Sequence, residues 1–176
     1  MSRARMQGVD TVEQMVRAAA DGDEERVAGL LDMGVPVDAV NSQHRTALDV
    51  ALWAGHTDVV RLLVGAGADP RQSIGEYSED TPLRFAAGQG MTGVVRLLLD
   101  AGVDPDHRLA ATRATPLMIA AVEGRTEIVR LLLDHGAGIE LKGRGKTVLE
   151  WAAGGGRMEV VRLLQDHGAG PAAGSW

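Results

Sequence analysis

The sequence predicts an all-α solenoid of stacked helix–turn–helix units, and three observations lead there. The first is a fixed spacing: Thr46, Thr81, Thr115 and Thr147 are each followed nine residues later by Gly55, Gly90, Gly124 and Gly156. Twelve residues after each of those comes a further glycine, at Gly67, Gly102, Gly136 and Gly168. The second is an excess of leucine and valine between these glycines, in DVVRLLV, GVVRLLL, EIVRLLL and EVVRLLQ, more than two short helices bury alone. The third is that only the connections vary. From the second glycine to the next threonine the chain runs 12, 14, 13 and 11 residues. Stacked helices tolerate no insertion, whereas a surface loop does.

Each element has its own local reason. Thr115–Gly136 is the plainest copy. Thr-Pro starts a helix because Pro116 has its φ set and needs no hydrogen bond at the first helical position. Leu117, Ile119, Ala120 and Ala121 form an apolar face that stops at Gly124. A second helix follows, burying Ile128, Val129, Leu131, Leu132 and Leu133, with Glu127 and Arg130 outside, and closes at Gly136 in the left-handed cap favoured by glycine. An earlier, degenerate copy has Gly22 and Gly34 at the same twelve-residue spacing around RVAGLL. There Arg17, Arg26 and Gly29 stand where later copies carry apolar residues, and in the last copy Gln165 replaces Val64, Leu99 and Leu133. Polar outer faces at both ends are what a stack of repeats needs for solubility. The expected organisation is a flexible segment at 1–10, one repeat domain at 11–169 and a flexible tail at 170–176. The repeats fall at about 11–38, 39–72, 73–106, 107–139 and 140–169, a complete module.

Composition narrows the function. Aromatic residues make up 3% of the 176, so Leu, Val, Ile and Ala must build the core. A net charge of −6 disfavours a general nucleic-acid binder. No run approaches the ~18 apolar residues of a membrane helix, and the N-terminus has no signal-peptide core. Without cysteine there is neither disulfide nor thiolate chemistry. These features predict a cytoplasmic protein. Only Lys142 and Lys146 among 18 basic residues are lysines, which with the Ala and Gly richness points to a bacterial genome.

A period of about 33 residues, Thr-Pro-Leu opening a helix, Ala-Ala-x-x-Gly, a Val-Val-x-Leu-Leu helix and a closing Gly-Ala-Asp resemble ankyrin repeats. Thr81–Asp104 and Thr115–Gly136 carry the resemblance best, with Gly55-His56 and Gly67-Ala68-Asp69 adding to it, and it covers about residues 12–169. It implies an ankyrin-repeat solenoid whose helix pairs are joined by β-hairpin-like loops. The chain departs from the family where His follows Thr-Pro-Leu: Asp49, Arg84, Met118 and Glu150 stand there. Threonine still caps, acidic Asp49 and Glu150 suit a helix N-terminus, and Asp49 and Arg84 are expected as neighbours able to pair.

No catalytic constellation, metal set or cofactor is predicted. His56 fits the family's inter-helix turn, and His135 and His167 precede closing glycines on stacked helices too far apart to share a zinc. Gly154-Gly155-Gly156 follows no strand, so it does not read as a phosphate loop. Arg61, Arg96, Arg130 and Arg162 fall on a solvated outer face, and Trp151 aligns with Val50, Phe85 and Ile119 in the core. What the resemblance implies is a binding surface on the connecting fingers and the ends of the first helices. Mapped residue by residue, its contact positions are Arg45, Trp53, Tyr77, Asp80, Gln89, Arg113, Glu123, Arg144 and Lys146. Trp53 is expected either to stand exposed as a contact or to fold back over the Tyr77 finger as local packing. The fingers change from acidic at Glu76, Glu79 and Asp80 to basic at Arg108, Arg113, Lys142, Arg144 and Lys146. The expectation is a monomeric, non-enzymatic module for one protein partner, binding neither nucleic acid nor membrane. An alternative is a small-molecule or enzymatic pocket near Asp49, Arg84 and Glu150.

Overall fold

A computed structural model describes residues 3–72, 74, 80–107 and 113–170, with side chains from Asp10 onward. The chain forms two compact units, Met1–Glu79 and Asp80–Trp176. In the first, α1 (Arg3–Asp21), α2 (Glu24–Asp32), α3 (Ala47–Ala54) and α4 (Thr57–Gly65) make two helix pairs, α1 packing on α3 and α2 on α4. The second holds three pairs: α5 (Pro82–Gln89) with α6 (Thr92–Asp100), α7 (Pro116–Glu123) with α8 (Thr126–Asp134), and α9 (Val148–Gly154) with α10 (Met158–Asp166). There α7 lies between α5 and α9, and α8 between α6 and α10. Strands β1 (Lys142–Gly143) and β2 (Lys146–Thr147) form an antiparallel hairpin ahead of α9.

The spacing of the sequence is visible in how each pair begins and turns. The hydroxyls of Thr46, Thr81, Thr115 and Thr147 accept the backbone N–H of Asp49, Arg84, Met118 and Glu150. The first helices α3, α5 and α7 end on Gly55, Gly90 and Gly124 at φ 81, 80 and 74°, a conformation that costs a residue with Cβ. Helices of eight or nine residues are too short to persist alone in water. Burial supplies the stability: Leu48, Leu52 and Leu63 in the first unit, and Leu83, Leu98, Leu117, Leu132 and Leu164 in the second, are fully enclosed.

The side chains just past Gly55, Gly124 and Gly156 tie neighbouring pairs together. His56 Nε2 lies 3.0 Å from the Ala20 carbonyl, so that nitrogen carries the proton. Arg125 Nε donates to Gly88 O at 3.3 Å, and Arg157 Nε to Val122 O at 2.9 Å. Each accepting carbonyl belongs to the last turn of the preceding first helix, where no intrahelical donor remains. His56 was expected to close the turn within its own pair; its hydrogen bond reaches the preceding pair. Arg125 and Arg157, at the same position two and three copies later, do the same work with guanidinium.

The connections are tied down in the same way. Glu13 of α1 accepts the Ser42 backbone N–H at 2.8 Å and Asn41 Nδ2 at 3.4 Å, and hydrogen bonding from the Ser42 side chain, then its backbone, then Asn41 lowers its pKa. Asp106 accepts Gly138 N–H with both oxygens at 3.0 Å, and Asp38 takes the equivalent Asp69 N–H at 3.2 and 3.3 Å. Arg17, Arg26, Gly29 and Gln165 are exposed, as a polar outer face requires. Arg61, Arg96, Arg130 and Arg162 are exposed on the second helices. Among the described residues no helix is long and apolar enough to cross a membrane.

One core expectation is corrected. Phe85 is buried, but Val50, Ile119 and Trp151 at its register are only half-buried. Trp151 cannot be enclosed like leucine because its indole N–H needs a partner. It lies beside the hairpin and donates to Gly143 O at 3.2 Å.

Candidate functional site

The expected contact positions divide into those the fold has already engaged and those it leaves on the surface. Arg45 is half-buried, and its guanidinium grips the Asp49 carboxylate through two nitrogens, Nη2–Oδ1 being 3.1 Å. Asp80 accepts from Arg84 Nε at 2.6 Å, with both side chains under one-fifth exposed. Each pair joins the residue before the capping threonine to the one three after it, with the charges exchanged. Asp49 and Arg84, expected as neighbours able to pair, each have a partner at their own helix start. The reason is reach: residues four apart at a helix start face one another. Burial raises the Asp80 pKa, against the pull of Arg84 and the Thr81 N–H. Glu150 completes a capping box, accepting Thr147 N–H at 2.7 Å, and that hydrogen bond lowers its pKa. All three ionisable groups proposed for a small-molecule pocket are therefore occupied with their own helix starts.

Trp53, on α3, is 55% exposed. Tyr77 lies outside the described residues. Gln89 and Glu123 are the exposed last residues of α5 and α7. With Asp80 and Arg84 they line a groove of about 310 Å³ between these two helices, floored by Phe85, Gly88 and Ile119 and closed on one side by Arg125. The close approach of α5 and α7 depends on Gly88, where a methyl group would stand 3.0 Å from Ile119 Cγ2. The groove combines carboxylate, amide and guanidinium groups over a small apolar floor, a lining suited to a polar side chain or an extended backbone. Arg125 and Ile119 were not among the expected site residues. The signal for Arg125 was its alignment with His56.

Arg113, Arg144 and Lys146 are exposed. Arg144 and Gly145 form the hairpin tip with φ 52 and 79°, both left-handed as a two-residue hairpin turn of this hand demands. Arg113, in the preceding connection, also has positive φ, at 50°. The two connections touch: a methyl group on Gly143 would stand 2.8 Å from Arg113 O and 2.6 Å from Met118 Sδ. Within the second unit the structure therefore assembles two clusters, the Asp80–Gln89–Glu123 groove and the basic connections. Arg45 and Trp53 belong to the first unit.

Among the described residues no group of three or more His, Asp or Glu side chains is placed to hold a metal ion. His135 and His167 instead each direct Nδ1 to the carbonyl four residues earlier, at 2.9 and 2.8 Å.

Comparison with known proteins agrees with this architecture. Residues 83–173 match ankyrin repeats (3 copies), and residues 15–64 match ankyrin repeats (many copies). Over 79 residues the chain is 38% identical to the inactive serine/threonine-protein kinase TEX14 of Mus musculus, which covers 44% of this chain and 5% of that protein. The Bos taurus protein of the same name matches at 38% over the same length and shares. The chain thus spans a small fraction of the length of these relatives. With repeat signatures matched over more than half of its length, on helix pairs that turn on left-handed glycines, the chain belongs to the ankyrin-repeat family.

Proposed function

We propose that this chain is a non-enzymatic protein-interaction module of five repeats, one per helix pair. It grips its partner through the ends of the first helices and the connecting fingers. The observation that carries the reading is the groove between α5 and α7, where Asp80, Gln89 and Glu123 from two successive pairs converge with Arg84 and Arg125. Family membership supports it, because ankyrin repeats are generally protein-interaction modules. Exposed Trp53 is the anchor in the first unit, since tryptophan contributes disproportionately to interfaces. Arg45 and Asp80, engaged with Asp49 and Arg84, shape the surface more than they contact the partner. The chain acts as a monomeric scaffold in the cytoplasm, and its lysine-poor composition supports a bacterial source.

The test is affinity capture with the intact chain, then with Trp53→Ala, with Gln89→Ala/Glu123→Ala and with Arg96→Ala/Arg130→Ala. The first two are expected to lose the captured protein and the third to retain it. Loss confined to the Arg96/Arg130 variant moves the interface to the second helices and ends this reading.

A further inference from the structure

The basic residues of this chain are not spread evenly along its connections. Both lysines sit on the hairpin, at Lys142 in β1 and Lys146 in β2, either side of Arg144 at its tip, and all three are exposed. The neighbouring connection brings exposed Arg113 against the hairpin, because Gly143 has no side chain to hold the two backbones apart. The hairpin is braced from beneath by the Trp151 N–H on Gly143 O. Two carboxylates lie close in sequence: exposed Glu140, two residues before Lys142, and Glu150, which directs Oε2 to the Thr147 N–H and hydroxyl at 2.7 and 3.2 Å and also feels Lys142 and Lys146.

Two of these cations are held in backbone conformations that side chains with Cβ disfavour, Arg113 at φ 50° and Arg144 at φ 52°. Glycine would satisfy Arg144 better, as it does Gly145 beside it. Retaining arginine at the tip sacrifices stability for a charge in a particular place. The strands and the close approach also pre-organise that charge, so little ordering is left to oppose binding.

We propose that Arg113, Lys142, Arg144 and Lys146 form a docking surface for an acidic segment of a partner protein. The inference rests on the protein-interaction reading above and gives the partner its chemistry. A short acidic segment meets mainly the local patch, because charges farther than a Debye length of about 8 Å are screened at physiological salt. A long nucleic acid also meets the field of a chain of net charge −6, which repels it. Acidic protein is therefore the occupant the electrostatics favour.

The experiment is fluorescence polarisation of the full chain with a labelled oligoglutamate peptide, and separately with a labelled single-stranded oligonucleotide of matched charge. Oligoglutamate is expected to bind, more weakly as salt rises, and to lose roughly 5–10-fold in affinity with Arg144→Gly/Lys146→Gln. Arg96→Ala/Arg130→Ala, which removes as much charge from the second helices, is expected to leave affinity unchanged. Arg144→Gly alone is expected to keep or raise the Tm while weakening binding, which separates a binding role from a folding one. No binding at low salt, equal loss in both double variants, or tighter binding of the oligonucleotide overturns the proposal. If the captured partner survives Arg144→Gly/Lys146→Gln but is lost with Gln89→Ala/Glu123→Ala, acidic docking fails and the protein-interaction reading stands.

Discussion

At the start of α5, Asp80 and Arg84 form an ion pair, whereas at the start of α7 the same two positions hold Ala114 and Met118, 3% and 0% exposed. The capping threonine and the proline are identical in both, so the helix start does not decide the choice. What differs is the covering: at α7 the next connection presses Gly143 onto Met118 Sδ and the Arg113–Ala114 backbone. A charged pair there would lose its water, and the desolvation of two ions commonly exceeds the attraction between them. At α5 both side chains keep some contact with solvent along the groove. The Asp80–Arg84 pair thus occupies a helix start where both side chains keep some water.

The most damaging way to probe the contrast is Met118→Arg, which forces a charge under the hairpin. It is expected to cost about 3–5 kcal/mol in urea unfolding, through uncompensated burial. Adding Ala114→Asp should recover only part of this. Full recovery would show that the two sites are equivalent and would break the comparison.

Gly143→Ala comes next, at about 1–3 kcal/mol, because the added methyl meets the Arg113 backbone oxygen at 2.8 Å as well as a flexible sulfur. Met118→Ala in the same chain relieves only the sulfur contact, so the double variant should remain less stable than Met118→Ala alone.

At α5, Arg84→Met is expected to cost about 1–3 kcal/mol by leaving the Asp80 carboxylate half-buried without its guanidinium. The double variant Asp80→Ala/Arg84→Met should lie within about 1 kcal/mol of the parent, since removing a whole buried pair is often neutral. Thermal melts of the four members of that cycle decide it.

The smallest effect is the response to acid. Glu150, held below its ordinary value of 4.5 by the Thr147 N–H, adds stability above that pH, and the contribution disappears as pH falls through its folded value. Asp80, raised above 3.8 by burial, has the opposite sign, and its contribution falls as pH rises from 3.8 to its folded value. Glu150→Gln should therefore flatten the acid loss of stability, and Asp80→Asn should steepen it. Matching slopes in both variants would remove either carboxylate from the account.

The fold was legible in the sequence because its determinants are local. A threonine cap, a turn glycine with positive φ and an apolar period each act within a few residues, and their repetition reinforced the reading. The candidate site was legible only in part. Exposure at Gln89, Glu123, Arg113, Arg144 and Lys146 followed from register, whereas for Trp53 register left exposure and local packing open. The engagement of Arg45 and Asp80 did not, because the family register marks a contact position without showing a side chain four residues away that takes its charge first.

By itself the sequence determined the helix pairs, their caps, their turns and the family they belong to. Only the tertiary structure decided how the charges are grouped. It placed Arg125 over Gly88 to close a groove, brought Arg113 against the hairpin through Gly143, and tied Trp151 to that hairpin when its register pointed to the core. The physical reason is the range of the interactions. Caps and hydrophobic period are settled within one turn of helix, whereas desolvation and close backbone approach depend on what packs on top.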